Sequence, residues 1–170
     1  MRRLILFRHA KAEPRGAGMD DFDRPLAERG REDAALIGKV LAREGLTPDL
    51  ALVSPARRAS ETWLHARDAF PSIKAELRRD LYNAGPETIR EEVEKSADAA
   101  DTVIVIGHNP GLHELAVELL IEGAASAAEI ERVAARFPTA TAAALLIDEA
   151  GRASFDGLFL AKEHGGEGEG

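Results

Sequence analysis

Three short apolar runs, each broken at its carboxyl end by residues able to do chemistry, constrain this chain more than any other feature. Residues 4–7 (Leu-Ile-Leu-Phe) lead into Arg8 and His9, residues 50–53 into Ser54 and Pro55, and residues 103–106 (Val-Ile-Val-Ile) into Gly107, His108 and Asn109. Compact apolar runs bounded by turn residues read as buried strands. Between them the period changes. Leu36, Ile37, Val40 and Leu41 recur at helical spacing within residues 28–43, and Gly45 closes that helix. Residues 57–70 read as a second helix that Pro71 stops, with Trp63 and Leu64 as core contacts. Pro86, a favoured first-turn residue, opens a third helix, a fourth leaves at Leu112, and a fifth lies between residues 127 and 136. Weaker strands are expected near 73–77, 143–147 and 153–160. Strands alternating with helices predict a three-layer α/β/α sandwich around a mostly parallel sheet. In such sheets ligands sit beyond the carboxyl ends of the strands, so the three polar breaks point to one shared pocket.

The chain has 170 residues, 45% of them hydrophobic, which suits a single domain with its own core; residues 1–162 are assigned to it. The remaining eight, residues 163–170, are Gly and Glu with one His and are expected to be a disordered tail. No cysteine is present, which excludes a disulfide framework, a thiolate metal site and a cysteine nucleophile. No apolar run approaches a membrane span and no apolar leader opens the sequence, so a cytoplasmic, soluble protein is expected. Charge is uneven: residues 1–85 hold 16 Lys and Arg against 13 Asp and Glu, and residues 86–170 hold 6 against 17. A chain with net charge −8 repels nucleic acid at long range, so any anion must be held by a local pocket. The arginines able to build one lie mainly in the first half.

Two histidines from different strands, joined by Arg8, Arg58 and Arg24, suit a phosphoryl group. Guanidinium forks match its oxygens, and a neutral imidazole can attack phosphorus. Each piece alone is weak, since a lone histidine after a strand is commonly structural. The order of the pieces is specific: Arg8-His9-Ala10, then Ser54-Pro55-Ala56-Arg57-Arg58-Ala59-Ser60-Glu61-Thr62, then Gly107-His108-Asn109. In this order the chain resembles the histidine phosphatase superfamily, which includes the phosphoglycerate mutases. Asp21-Phe22-Asp23-Arg24-Pro25-Leu26 followed by Gly30, the Ala after His9, and Leu81-Tyr82-Asn83-Ala84 resemble its short SixA-type phosphohistidine phosphatases. The resemblance implies a phosphoglycerate mutase-like fold without a lid insertion. It implies His9 as nucleophile, Arg8 and Arg58 as ligands of the phosphoryl oxygens, His108 as a hydrogen-bonding partner of the transition state, and Arg24 as a further phosphate ligand. It implies no metal and no cofactor. Arg57, about 100° from Arg58 around the helix, belongs on the rim. Trp63 and Tyr82 read as packing residues, and His65, His113 and His164 fit no metal spacing.

Two departures matter. Ala27 stands where Ser or Thr would have capped the first helix. The stretch Leu81–Glu87 offers no carboxylate at the strand end, where mutase-like relatives carry a Glu to protonate an alkoxide; Asp21 is the remaining candidate acid. An imidazole, unlike an alkoxide, can depart neutral and needs little acid help. The sequence therefore favours a phosphatase acting on phosphohistidine of another protein, such as a phosphotransfer domain in a signalling relay. A small-phosphoester phosphatase and a non-catalytic phosphoprotein-binding module are the alternatives. A monomer is expected.

Overall fold

The computed structural model of the chain, which describes residues 1–168, has one six-stranded sheet whose strand register decides where the polar breaks fall. The strands are β1 (Arg3–Arg8), β2 (Leu50–Val53), β3 (Lys74–Leu77), β4 (Thr102–Gly107), β5 (Thr141–Ile147) and β6 (Ala153–Leu160), in spatial order β3-β2-β4-β1-β5-β6. The first four run parallel, and β5 alone runs against the rest. β1 pairs with β4 from Arg3 opposite Thr102 to Arg8 opposite Gly107, so both strands end at the same height. β2 joins with Val53 opposite Ile106. The parallel sheet expected from the sequence is observed, as an α/β fold.

Side chains alternate across this sheet as the strand period demands. Leu4, Leu6, Leu52, Val103 and Val105 face one layer, formed by α3 (Pro86–Glu94), α4 (Gly111–Glu122) and α5 (Ala127–Ala135). Ile5, Phe7, Val53, Ile104 and Ile106 face the other, formed by α1 (Glu28–Arg43) and α2 (Arg57–Ala66). Both faces of β1, β2 and β4 are covered, which explains why their buried residues run apolar rather than alternating, whereas the edge strand β3 is largely exposed and carries Lys74 and Glu76.

Three local readings change. Leu64 is 46% exposed while its neighbour Trp63 is buried, because consecutive helical residues diverge and only one can face the sheet. The second helix ends at Ala66 and continues as a 3-10 turn over Arg67–Ala69. The tail expected to be disordered from residue 163 is ordered through its described part. Ala161–His164 forms a 3-10 turn, and the buried carboxylate of Asp33 on α1 accepts backbone N–H bonds from Glu167 (3.1 Å) and Gly168 (2.9 Å). Composition could not reveal that acceptor, since Asp33 sits on a distant helix; residues 169 and 170 lie outside the described residues.

The start of α1 is fixed by packing rather than by a cap. Ala27 makes no side-chain capping bond, but its N–H donates to the Lys11 carbonyl at 2.8 Å. Gly30 lies against the same carbonyl, so close that a Cβ there would stand 2.1 Å from the Lys11 oxygen. Gly111 at the start of α4 is pressed likewise on the Ala84 carbonyl, which a Cβ would meet at 2.0 Å. These two approaches hold the Lys11 and Tyr82–Ala84 segments over the carboxyl edge of the sheet. Gly30→Ala should therefore cost on the order of 1–3 kcal/mol by forcing a backbone shift. A denaturant midpoint lower than that of the parent checks this, and an unchanged midpoint contradicts it.

Candidate active site

At the shared strand end, His9 follows β1 and His108 follows β4, with the His9 N–H donating to the Gly107 carbonyl at 3.0 Å. Their rings lie 5.3 Å apart, centroid to centroid. Ser54, first residue beyond β2, donates its N–H to Ile106 (3.0 Å) and brings its hydroxyl to 2.7 Å from Nε2 of His108. Arg58, buried near the start of α2, reaches back with Nε 3.3 Å from Nε2 of His9. Thr62, one turn further, accepts the Ala10 N–H (2.9 Å) and donates to the Arg58 carbonyl (2.7 Å), tying the histidine loop to the helix. Arg8 donates to the Phe137 carbonyl at 3.0 Å. Arg8, His9, Lys11, Ala12, Arg24, Arg58 and Thr139 line a cavity of about 240 Å³.

The protonation states follow from the bonds. Nδ1 of His9 is 2.8 Å from the Ala10 carbonyl, which can only accept, so Nδ1 carries the hydrogen and Nε2 keeps its lone pair. The Arg58 Nε–H points at that lone pair. Burial pushes the His9 pKa well below 6.5, against the opposing hydrogen bond to Ala10, and the charges of Arg58 and Arg8 add to the lowering. His9 is a neutral imidazole at neutral pH. Burial, with Arg58 and Arg8, lowers His108 to about 3. The Ser54 hydroxyl accepts the Ala56 N–H at 3.3 Å, and His108 Nε2 is the acceptor in reach of its proton. That leaves the hydrogen of His108 on Nδ1, a buried atom with no hydrogen-bond partner among the described residues.

Asp21 approaches from the 3-10 turn Asp21–Asp23. Its Oδ2 accepts from the Tyr82 hydroxyl (2.8 Å) and from Arg58 (3.1 Å), its Oδ1 from Arg24 (3.1 Å), and its carbonyl from Arg58 (2.8 Å). The Tyr82 hydroxyl, ahead of the Arg24 and Arg58 bonds, lowers its pKa to about 2. Burial first, and then Asp21, raise the Tyr82 phenol, which stays protonated as the donor. In this state Asp21 is an acceptor and the counter-ion of Arg58, with no proton of its own to give at neutral pH. Leu26 donates its N–H to Glu61 on α2 at 2.7 Å, which anchors the same loop.

The structure thus brings together all six residues singled out from the sequence: Arg8, His9, Asp21, Arg24, Arg58 and His108. Arg57 stays outside, paired with Glu61 at 2.9 Å. Tyr82 is more than a packing residue, since its hydroxyl holds Asp21 and its ring lies edge-on to His108 at 5.7 Å. Ser54 is one of the three strand-end breaks but carries no assigned role in the sequence reading, and Thr62, Lys11 and Thr139 are not candidates there. Ser54 and Thr62 lie inside the quoted 54–62 stretch, and Thr62 stands one helical turn from Arg58, which was the available signal. Thr139 precedes β5 and carries none.

Strand-end histidines and arginines on a mutase-like sheet define a phosphoryl-handling class of protein. The sequence signature of the histidine phosphatase superfamily (branch 1) matches residues 4–101, and the chain belongs to that family. It is 39% identical over 141 residues to an uncharacterized protein of Mycobacterium tuberculosis, covering 82% of this chain and 86% of that one. The crystal structure of a candidate SixA phosphohistidine phosphatase from Agrobacterium tumefaciens superposes with a TM-score of 0.82 at 29% identity, over 93% of this chain and 97% of that one. The protein histidine phosphatase SixA complexed with tungstate superposes at 0.78 and 22% identity, over 95% and 98% of the two chains, which bears on the fold alone.

The buried neutral histidines have a consequence for stability. In the unfolded chain they take up protons near pH 6.5, whereas folded His108 does so only near 3 and folded His9 well below 6.5. Within that window the unfolded state binds more protons, so stability falls as the pH falls. Asp21 adds to the loss between about 3.8 and 2, where its native ion pairs are protonated away. Thermal midpoints should decline steadily from pH 6.5 to pH 4, and less steeply in His108→Gln. A flat profile over this range would show that these imidazoles are not held neutral.

Proposed function

We propose that this phosphatase-family protein hydrolyses phosphohistidine on other proteins through a phosphorylated His9. The observation that carries the reading is the fixed tautomer of His9. Its Nδ1–H is committed to the Ala10 carbonyl, and its Nε2 lone pair lies beside a buried guanidinium that can hold a phosphoryl group. In the first step the lone pair of His9 Nε2 forms a bond to phosphorus, and the P–N bond of the substrate breaks. The bonding pair leaves on the substrate imidazole, whose distal nitrogen already carries a proton, so it departs neutral. Water then attacks phospho-His9, releasing inorganic phosphate and restoring the neutral imidazole. Arg8, Arg24 and Arg58 stabilise the equatorial oxygens, and the Nδ1–H of His108, oriented by Ser54, donates to one of them.

The substrate class rests on the acid. An alkyl phosphate must expel an alkoxide, and a general acid contributes about 10²–10⁴-fold to such a step. Asp21 is held as the carboxylate by Tyr82, Arg24 and Arg58, which suits an orienting role for Arg58 rather than proton donation. A neutral imidazole leaving group does not need that acid. We expect kcat/KM for phosphohistidine to exceed that for an alkyl phosphate such as 3-phosphoglycerate by at least about a hundredfold, with activated aryl phosphates between. His9→Ala should abolish turnover of all three, and the parent should yield an acid-labile, alkali-stable phosphoenzyme. Equal efficiency on phosphohistidine and alkyl phosphates would instead favour a small-phosphoester phosphatase. Turnover persisting in His9→Ala would remove the mechanism.

Arginines supply the positive charge this chemistry needs, so the reaction is proposed to run without a metal. Activity should survive EDTA and be inhibited by tungstate or vanadate. Loss on chelation, restored by one added metal ion, would overturn the point.

A further inference from the structure

A second, larger groove continues from the catalytic cavity and shares Arg8 with it. It encloses about 530 Å³ and is lined by Arg8, Asn109, Arg136, Phe137, Pro138 and Lys162, with Gly168 at its edge. The wall between the two is firmly built. The Phe137 carbonyl accepts from both Arg8 (3.0 Å) and Asn109 (2.8 Å), and the Phe137 ring stacks on His113 at 5.3 Å. Arg136 precedes the anchored Phe137 in the chain and lines the groove beside Arg8. Lys162 projects from the Ala161–His164 turn and makes no ion pair among the described residues. Arg136 makes one, a loose contact of 3.6 Å with Glu163, in which the side chains are 59% and 44% exposed. A pair so exposed is worth little and exchanges readily.

Cations gathered in one groove are conspicuous on a chain of net charge −8, whose residues 86–170 hold only six Lys and Arg. Two of those six, Arg136 and Lys162, line this groove. The loose contact of Arg136 with Glu163, which itself lies outside the groove lining, leaves that guanidinium open to another carboxylate. We infer that Arg136 and Lys162 form a subsite for acidic residues that flank the phosphohistidine of the partner protein. This rests on the phosphohistidine reading above, and adds to it a chemical rule for choosing the partner: carboxylates within a few residues of the modified histidine. A peptide segment suits the groove better than a small anion, because the half-buried Pro138 stands beside the two charges and the groove is larger than the catalytic cavity.

The test uses two phosphohistidine peptides of one sequence that carry either three Glu or three Gln beside the histidine. At low ionic strength the parent should turn over the Glu peptide with a kcat/KM about fivefold or more above the Gln peptide, mainly through KM. Added salt should shrink the ratio. Arg136→Glu combined with Lys162→Glu should bring it to one or below, and Glu163→Gln, which releases Arg136, should raise it. A ratio near one in the parent, or a preference that survives the double substitution, overturns the subsite while leaving the catalytic reading intact. If neither peptide is hydrolysed, the catalytic reading fails. Fluorescence anisotropy of the same two peptides then decides the subsite alone, with equal affinities counting against it.

Discussion

The parallel pairing of β1 with β4 is the constraint on which the site depends. Because the ladder closes with Arg8 opposite Gly107, the two histidines that follow emerge side by side, and the His9 N–H extends the ladder by one more bond to Gly107. The β2–β4 register, with Val53 opposite Ile106, then puts the Ser54 hydroxyl on His108 and aims α2 so that Arg58 returns over His9. A one-residue slip in either pairing would reverse the faces of Ile5, Phe7, Ile104 and Ile106, which are fully buried. The hydrophobic core and the reactive geometry are thus set by one register.

Burial controls the chemistry at that edge as well. Arg58 is 4% exposed, and a guanidinium so deep needs a counter-charge. The chain provides it from a partly exposed turn: Asp21 holds Arg58 through both its carboxylate and its carbonyl. Burial first, and then the charges of Arg58 and Arg8, keep His9 and His108 neutral. The arginines beside the cavity thus act in the same direction as burial on both imidazoles.

What the sequence revealed was what strands and helices carry locally. His9, Ser54 and His108 were legible as strand-end residues because apolar runs stop abruptly before them, and Arg58 because its distance from Ser54 fits a helix start. Tyr82 was not legible as part of the site. Its hydroxyl reaches Asp21 only because Gly111 lets α4 press on Ala84, a contact between segments far apart in sequence. The described tail failed for the same reason, since Gly and Glu composition says nothing of a buried Asp33 with two free acceptors. Lys11 and Thr139 line the cavity through loops whose paths no periodicity encodes.

Asp21 also decides on what terms an anion can reach Arg58. A phosphoryl group arriving at Arg58 meets a carboxylate already bonded to that guanidinium, and like charges cannot share it without cost. The Tyr82 hydroxyl shares Oδ2 of Asp21 with Arg58, and Arg24 holds Oδ1, so the carboxylate can give up its Arg58 bond without losing every partner. Binding is then an exchange of anions on one buried arginine rather than the filling of an uncompensated charge. Such an exchange favours ligands that bring further anchoring contacts of their own. The Arg136–Glu163 contact is a different case, a loose pair of 3.6 Å between exposed side chains in which neither charge depends on the other for compensation.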